Sequence, residues 1–277
     1  NKKITQPMKF LADIYRQVDK SSEPEFAIKG LEAIAGQESI QKLYKFTVLL
    51  LDPKPGEALL DAGCGTCPDF EAIVNSVTPN GRAVFLDNST NMIRAAKEKC
   101  NQNSSLAEFV VGDAHHLEFC DGMFDCYRII RTLQHLDNPT KALQEALRVL
   151  KPNGRLVCQE PDWGTLTLTT SFPEIATSVI DAFKQKIRNP TFANQIGEIL
   201  KNLGAKHIEI HQKKRETFNM ADAETSYELS KLARSLVESQ KLSEKQSISF
   251  LDDLKKLETT GQFRTEVTAY IVRAEKG

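Results

Sequence analysis

Leu59-Leu60-Asp61-Ala62-Gly63-Cys64-Gly65-Thr66-Cys67 is the stretch that decides how this chain folds. An apolar run ends in an acid, passes through a glycine-rich turn and continues into a helix-like segment. This order predicts a buried parallel strand that stops at a sharp turn, where a ligand can reach the backbone. Glycine at 63 and 65 permits positive φ and leaves no Cβ in the path of an approaching nucleotide. Asp61 adds a carboxylate fixed at the strand end.

Outward from that turn, further apolar runs follow at regular intervals. Ala83-Val84-Phe85-Leu86 ends in Asp87, 22 positions beyond Gly65. Folds that bind dinucleotides place an acid at about that interval, where one carboxylate accepts from two vicinal ribose hydroxyls. Asn88-Ser89-Thr90 then offers N-cap chemistry to a helix that contains Met92. Three more runs follow: Glu108-Phe109-Val110-Val111 before Gly112-Asp113-Ala114, Met123 to Ile130 before Arg131 to Leu136, and Arg155 to Glu160 after the turn Lys151-Pro152-Asn153-Gly154. Strands that alternate with helices and end in acids predict a parallel α/β sheet, with its ligand face at the strand C-termini.

Five blocks, LLDAGCGTC (59–67), VFLDNSTNMI (84–93), VVGDAHHLEF (110–119), RTLQHLDNP (131–139) and LRVLKPNGRLV (147–157), carry a family resemblance. Together they resemble class I S-adenosylmethionine-dependent methyltransferases, and within them the small-molecule group of ubiquinone, menaquinone and natural-product tailoring enzymes. The resemblance is dense over about residues 40–160. It implies a Rossmann-like, seven-stranded, mostly parallel sheet. It also implies S-adenosylmethionine as cofactor, with S-adenosylhomocysteine as product. It places Asp61, Gly63 and Gly65 near the methionine end, Asp87 on the ribose, Asp113 and the Ala114 amide at the adenine amino group, and Met92 against the adenine face. Core packing for Met92 and a turn cap for Asp113 are the competing readings. At Cys67 the family usually has a third glycine, so the helix start is expected to pack slightly farther from the cofactor.

His135 follows the fourth strand and Glu160 ends the fifth, and these strands are neighbours in such a sheet. A His–carboxylate pair there is expected to act as base, the acid fixing the tautomer of the imidazole. The bland alternative gives His135 only a capping role or a cofactor contact. Asp162 and Trp163, just beyond, are candidate substrate residues. The pair favours O-methylation, with N- or C-methylation as the alternative. A binding module that holds the cofactor without catalysis is the rival from another class, and a dehydrogenase is disfavoured by the lack of Gly at 67. His115 and His116, adjacent in sequence, make a poor metal pair, and His207 and His211 are expected to be solvated. No metal is expected.

The 277 residues carry a net charge of −1, which argues against the basic footprint of non-specific nucleic-acid binding. No apolar run reaches the ~18 residues of a transmembrane helix. Lys2 and Lys3 lead into no apolar segment of a signal peptide. The Cys64-x-x-Cys67 spacing suggests redox or zinc chemistry, but it sits inside the glycine loop without a second cysteine pair. Cys100, Cys120, Cys126 and Cys158 are scattered and read as core residues of a cytoplasmic protein. The start at Asn1 leaves open whether the enzyme is free or part of a larger multidomain one. The partner is a small or carrier-borne molecule.

Residues 1–45 read as an N-terminal helical lid, with helices over 7–19, 24–35 and 37–51, and residues 46–277 as the methyltransferase core. Met8, Leu11, Ile14, Tyr15 and Val18 share one face of the first helix. Residues 161–170 are expected to be a connection, 172–187 and 192–203 helices, and 206–218 and 263–273 the last two strands. Between those strands, about 219–262, a helical insertion is expected to cover the active site.

Overall fold

Residues 9–100 and 105–277 are described by the computed structural model. Three helices come first: α1 (Leu11–Tyr15), α2 (Pro24–Ala35) and α3 (Glu38–Leu51). The alternating core follows as β1 (Ala58–Ala62), α4 (Phe70–Val77), β2 (Arg82–Asp87), α5 (Thr90–Lys99), β3 (Ala107–Val111), β4 (Phe124–Ile130), α6 (Pro139–Val149) and β5 (Leu150–Leu168). Then come α7 (Pro173–Lys184), α8 (Ile196–Asn202), β6 (Lys206–Thr217), α9 (Met220–Tyr227), α10 (Leu229–Glu238), α11 (Glu244–Thr259) and β7 (Thr265–Glu275).

The seven strands form one sheet in the order β3-β2-β1-β4-β5-β7-β6, parallel except for β7, which runs antiparallel to both β5 and β6. This is the Rossmann-like sheet expected from the strand runs. The central strands are buried on both faces, as parallel strands between helices must be. Alternation sends Leu59, Phe85 and Cys126 toward α3, α4 and α5, and Leu60, Val84 and Tyr127 toward α6 and α8. Caps fix where helices begin. Ser89 Oγ accepts from the Met92 N–H at 3.1 Å, and the Asn138 side chain accepts from the Lys141 N–H at 2.9 Å ahead of Pro139.

The expected first helix is divided. Its residues 7 and 8, Met8 among them, lie outside the described residues, as does the rest of 1–6. α1 ends at Tyr15, and a separate 3₁₀ turn spans Val18–Lys20. Of the segment expected as a connection, 161–170, residues 161–168 are instead the second half of β5. It finds its partner about a hundred residues away: Pro161 pairs with Ala269, Asp162 with Thr268 and, past a bulge, Thr167 with Glu266. Proline is tolerated where the ladder is irregular.

The insertion between β6 and β7 is helical, α9 to α11, but no part of it walls the central cavity described below. It packs with α7, Trp163 and Phe10 into a third core of its own. It is tied to the N-terminal region by Glu228, whose carboxylate accepts from the Leu11 N–H at 2.9 Å, and by Gln37, which donates to the Asp222 carbonyl at 3.1 Å and accepts from Ser226 at 3.1 Å. The insertion thus braces the helices that wall the cavity.

Candidate functional site

The strand β1 ends at Ala62, and the chain turns through Gly63 (φ 71) and Gly65 (φ 55), the left-handed region that favours glycine. A Cβ on Gly63 would lie 2.1 Å from Thr132 Oγ1, so only glycine lets this turn meet the segment after β4. Cys67 also holds a positive φ, 51, without being glycine. Its side chain is buried in one cluster with Cys64 and Cys100. Cys100 therefore belongs with the pair at 64 and 67, rather than being scattered.

Asp87, at the end of β2, braces this turn. Its Oδ2 accepts from the Gly65 N–H at 3.0 Å and its Oδ1 from the Ser89 N–H at 2.9 Å. Burial pushes its carboxyl above the usual range while these two donors pull it back. Each oxygen keeps a further lone pair for an incoming hydroxyl.

A cavity of about 1160 Å³, its mouth included, opens at the C-terminal ends of β1, β2 and β4. Asp61, Gly63, Gly65, Asp87, Met92, Asp113 and Ala114, all cofactor candidates from the sequence, lie in its wall. Met92 is also buried among Ile14, Val18 and Ile28, so cavity wall and core packing are both true of it. Asp113 accepts from the His115 N–H at 2.9 Å and meets the His115 ring at 2.6 Å. Burial opposes its charge, but these contacts outweigh burial and hold the carboxyl below its usual range. The turn-capping reading of Asp113 therefore coexists with its place in the wall.

Asp61 is not a free carboxylate. It sits opposite Arg128 in the strand register, and Arg128 Nη1 lies 3.2 Å from its Oδ2. Arg128 also bonds Asp69, and its Nε donates to Thr47 Oγ1 at 3.2 Å. Burial pushes the Asp61 carboxyl above its usual range, against the pull of that guanidinium. Arg128 went unread in the sequence, although a charged residue inside the apolar run 124–130 is itself a signal.

The His135–Glu160 pair does not form. Glu160 is 1% exposed and lies outside the cavity wall. Its Oε1 accepts from the Leu133 N–H at 2.7 Å, and the neighbouring Thr132 and Gln134 N–H groups favour its charged form against burial. It thus caps the 3₁₀ turn Leu133–His135 from behind. Among the described residues, Glu160 Oε2 and His135 Nδ1 are both buried without a hydrogen-bond partner. The His135 ring lies in the cavity wall beside Tyr15, ring centroids 5.8 Å apart. Burial, with Arg131, Arg16 and Arg188 nearby, pushes its imidazole down to about 3, whereas burial pushes Glu160 up to about 8. An imidazole so placed is a weak base.

Asp162 and Trp163 are likewise structural. Trp163 is 2% exposed, donates from Nε1 to Gln134 Oε1 at 2.7 Å and packs edge-on against Phe183 and Tyr227. Asp162 is buried and accepts from the Gly164 N–H at 3.0 Å. Neither reaches the cavity. His115 is half-buried, and its Nε2 accepts from the Asn138 N–H at 3.3 Å. His211 is half-buried against the Phe46 ring. The residues that the sequence reading missed line the end of the cavity away from Asp87: Tyr15, Arg16, Tyr44 and Arg131.

Residues 60–158 match the family described as a methyltransferase domain. An uncharacterized 37.1 kDa protein in a transposon of Streptomyces fradiae is 34% identical over 195 residues, 70% of this chain and 56% of that protein. A demethylmenaquinone methyltransferase of Bacillus cytotoxicus is 37% identical over 123 residues, 44% of this chain and 52% of the enzyme. The chain spans about half the length of the curated relatives it matches. Among solved structures, a phosphoethanolamine N-methyltransferase 2 of Haemonchus contortus in complex with S-adenosyl-L-methionine superposes with a TM-score of 0.61 at 20% identity. That alignment covers 97% of this chain and 60% of the other, and the likeness is one of fold.

The residues present fit S-adenosylmethionine. The turn at Gly63 has no room for a side chain, Asp87 keeps acceptor capacity, and Met92 and Ala114 give apolar wall for a flat base.

Proposed function

We propose that this chain, which carries a class I S-adenosylmethionine-dependent methyltransferase domain, moves a methyl group from that cofactor onto a small or carrier-borne acceptor. The observation that carries this reading is the continuity of one cavity. It reaches from the Asp87–Gly65 turn to an acceptor end walled by Tyr15, Tyr44, Arg131 and His135.

In this reading Asp87 takes the ribose hydroxyls and Met92 and Ala114 flank the adenine, with Asp113 at its amino group. Gly63 and Gly65 leave room for the amino-acid end, next to the Asp61–Arg128 pair. When bound, the cofactor supplies an electrophilic methyl carbon on a sulfonium, so no leaving group has to be created. The work left to the chain is to hold the acceptor in line and keep water out. Such orientation is worth roughly 7–11 kcal/mol of barrier. Residues 15–44 act as the lid that excludes water.

The acceptor atom we favour is oxygen. Of the acids in the cavity wall, Asp61 and Asp69 are held by Arg128, while Arg16 and Arg131 present positive charge. Such surroundings stabilise an oxyanion and disfavour a protonated amine. His135, neutral and unpaired with Glu160, orients the acceptor rather than carrying off its proton. N- or C-methylation is the second reading, favoured by the names of the relatives. Placement in quinone or natural-product biosynthesis, and in the cytoplasm, belongs to this proposal and rests on sequence resemblance.

The test is incubation with methyl-deuterated S-adenosylmethionine and a panel of phenols, carboxylic acids and amines, followed by mass spectrometry. A deuterated methyl ether or ester, formed with equimolar S-adenosylhomocysteine, supports the reading. Labelled amines would move it to nitrogen. Tight cofactor binding without turnover on any acceptor would leave a binding module.

A further inference from the structure

Arg131 follows β4 directly and lies in the cavity wall at the end away from Asp87. Among the described residues its guanidinium has no hydrogen-bond or ion-pair partner. Its backbone is pinned in the left-handed region, φ 51, by the bond from its N–H to Gln159 O at 2.8 Å. A long side chain rarely adopts that conformation, and such outliers persist where surrounding structure imposes them, often at functional sites.

The other arginines nearby are engaged. Arg128 holds Asp61 and Asp69, Arg188 pairs with Asp137, and Arg215 bonds Gln37 and Ser226. Arg16 donates to the Lys186 carbonyl. The acid that feels Arg131 is Glu160, but no ion pair joins them, and Glu160 spends its Oε1 on the Leu133 N–H. Half-buried positive charge without a counter-charge is costly unless a ligand brings one. A guanidinium fork matches a carboxylate or phosphate with two parallel hydrogen bonds, and Tyr15 and Tyr44 stand beside it as apolar faces with polar tips.

We propose that Arg131 is the subsite for an anionic group, a carboxylate or phosphate, on the methyl acceptor, and that this chain selects acceptors carrying such a group on a flat unsaturated body. The proposal rests on the methyltransferase reading and names the substrate class of the same site.

The test uses the whole chain saturated with S-adenosylhomocysteine, titrated calorimetrically with benzoate, phenyl phosphate and neutral benzamide. At least one of the charged probes binds, benzamide binds at least tenfold more weakly, and Arg131→Gln loses at least tenfold affinity for the charged probe. Arg131→Lys recovers part of that loss, and S-adenosylhomocysteine affinity in both variants stays within about twofold, which also reports that they fold. Three results would overturn the proposal: no binding of either anion, equal binding of benzamide, or an Arg131→Gln variant that instead loses S-adenosylhomocysteine, which assigns the guanidinium to the cofactor's own carboxylate. Failure of the methyltransferase reading looks different, because wild-type protein would then not bind S-adenosylhomocysteine in the first titration.

Discussion

Asp19 Oδ1 accepts the hydroxyl of Ser89 at 2.5 Å, and the same carboxylate takes the Thr90 and Asn91 N–H groups at 2.7 and 3.2 Å. An acid from the N-terminal region thus sits on the positive end of α5, two residues beyond Asp87. Burial opposes its charge, but the bonds from Ser89 and Asn91 prevail and hold the carboxyl at about 2. Asp19 is the latch of the proposed lid. Asp19→Ala should speed S-adenosylhomocysteine release about tenfold in stopped flow, with a smaller change in association. Unchanged release would mean that the N-terminal region stays seated without it.

Asp87→Ala removes both the brace on Gly65 and the proposed ribose acceptor. Loss of a hydrogen bond to a charged group costs about 1.5–3 kcal/mol, or roughly tenfold and more in affinity. Calorimetry with S-adenosylhomocysteine should report that loss in a variant whose circular dichroism is unchanged. Equal affinity would remove Asp87 from the cofactor site.

Glu160 makes stability depend on pH. Its folded carboxyl titrates near 8, above the ordinary carboxylate range, so the folded state holds a proton that the unfolded chain releases. Its contribution is full below about pH 4.5 and fades as pH rises to about 8. The span is on the order of a few kcal/mol. Urea melts from pH 5 to 8 should show this decline in the wild type, and Glu160→Gln should flatten it.

His135 has the opposite sign. Its imidazole titrates near 3 when folded, below its ordinary value, so its contribution is present above about pH 6.5 and is lost as pH falls toward 3. His135→Gln should flatten the acid side of the stability profile. Single-turnover methylation by the same variant should fall less than about tenfold, because the ring orients rather than accepts a proton. A loss of ~10²–10⁴-fold would restore it as general base.

Gly63→Ala puts a Cβ 2.1 Å from Thr132 Oγ1 at a φ of 71. Strain and collision together should lower stability by about 1–3 kcal/mol in denaturant melts and weaken cofactor binding. A variant as stable as the wild type would show that the turn can move.

The sheet was legible because each central strand is short, apolar and ends in a turn residue, which are local properties. Gly63, Gly65 and Asp87 were legible for the same reason. The second half of β5 was not, since what makes 161–168 a strand is Ala269, Thr268 and Glu266, far along the chain. Trp163 looked like a substrate wall because it follows a strand at the ligand face. Whether an indole faces a cavity or Gln134, Phe183 and Tyr227 depends on tertiary packing. His135 does follow β4, as expected, but Glu160 lies in the middle of β5 rather than at its end, and it bonds the backbone of the turn and not the ring. Arg131 could not be found by pattern, because its importance lies in the partners it lacks.

Cys67 leaves a consequence of its own. Where the resemblance leads one to expect a third glycine, a thiol lies outside the cavity wall, in the buried cluster that also holds Cys100, the residue that closes the far end of α5. The footing of that turn therefore lies partly outside every recognisable motif. Trimming Cys100 to alanine, at the opposite end of a ten-residue helix from Asp87, should loosen a loop it never appears beside in the sequence.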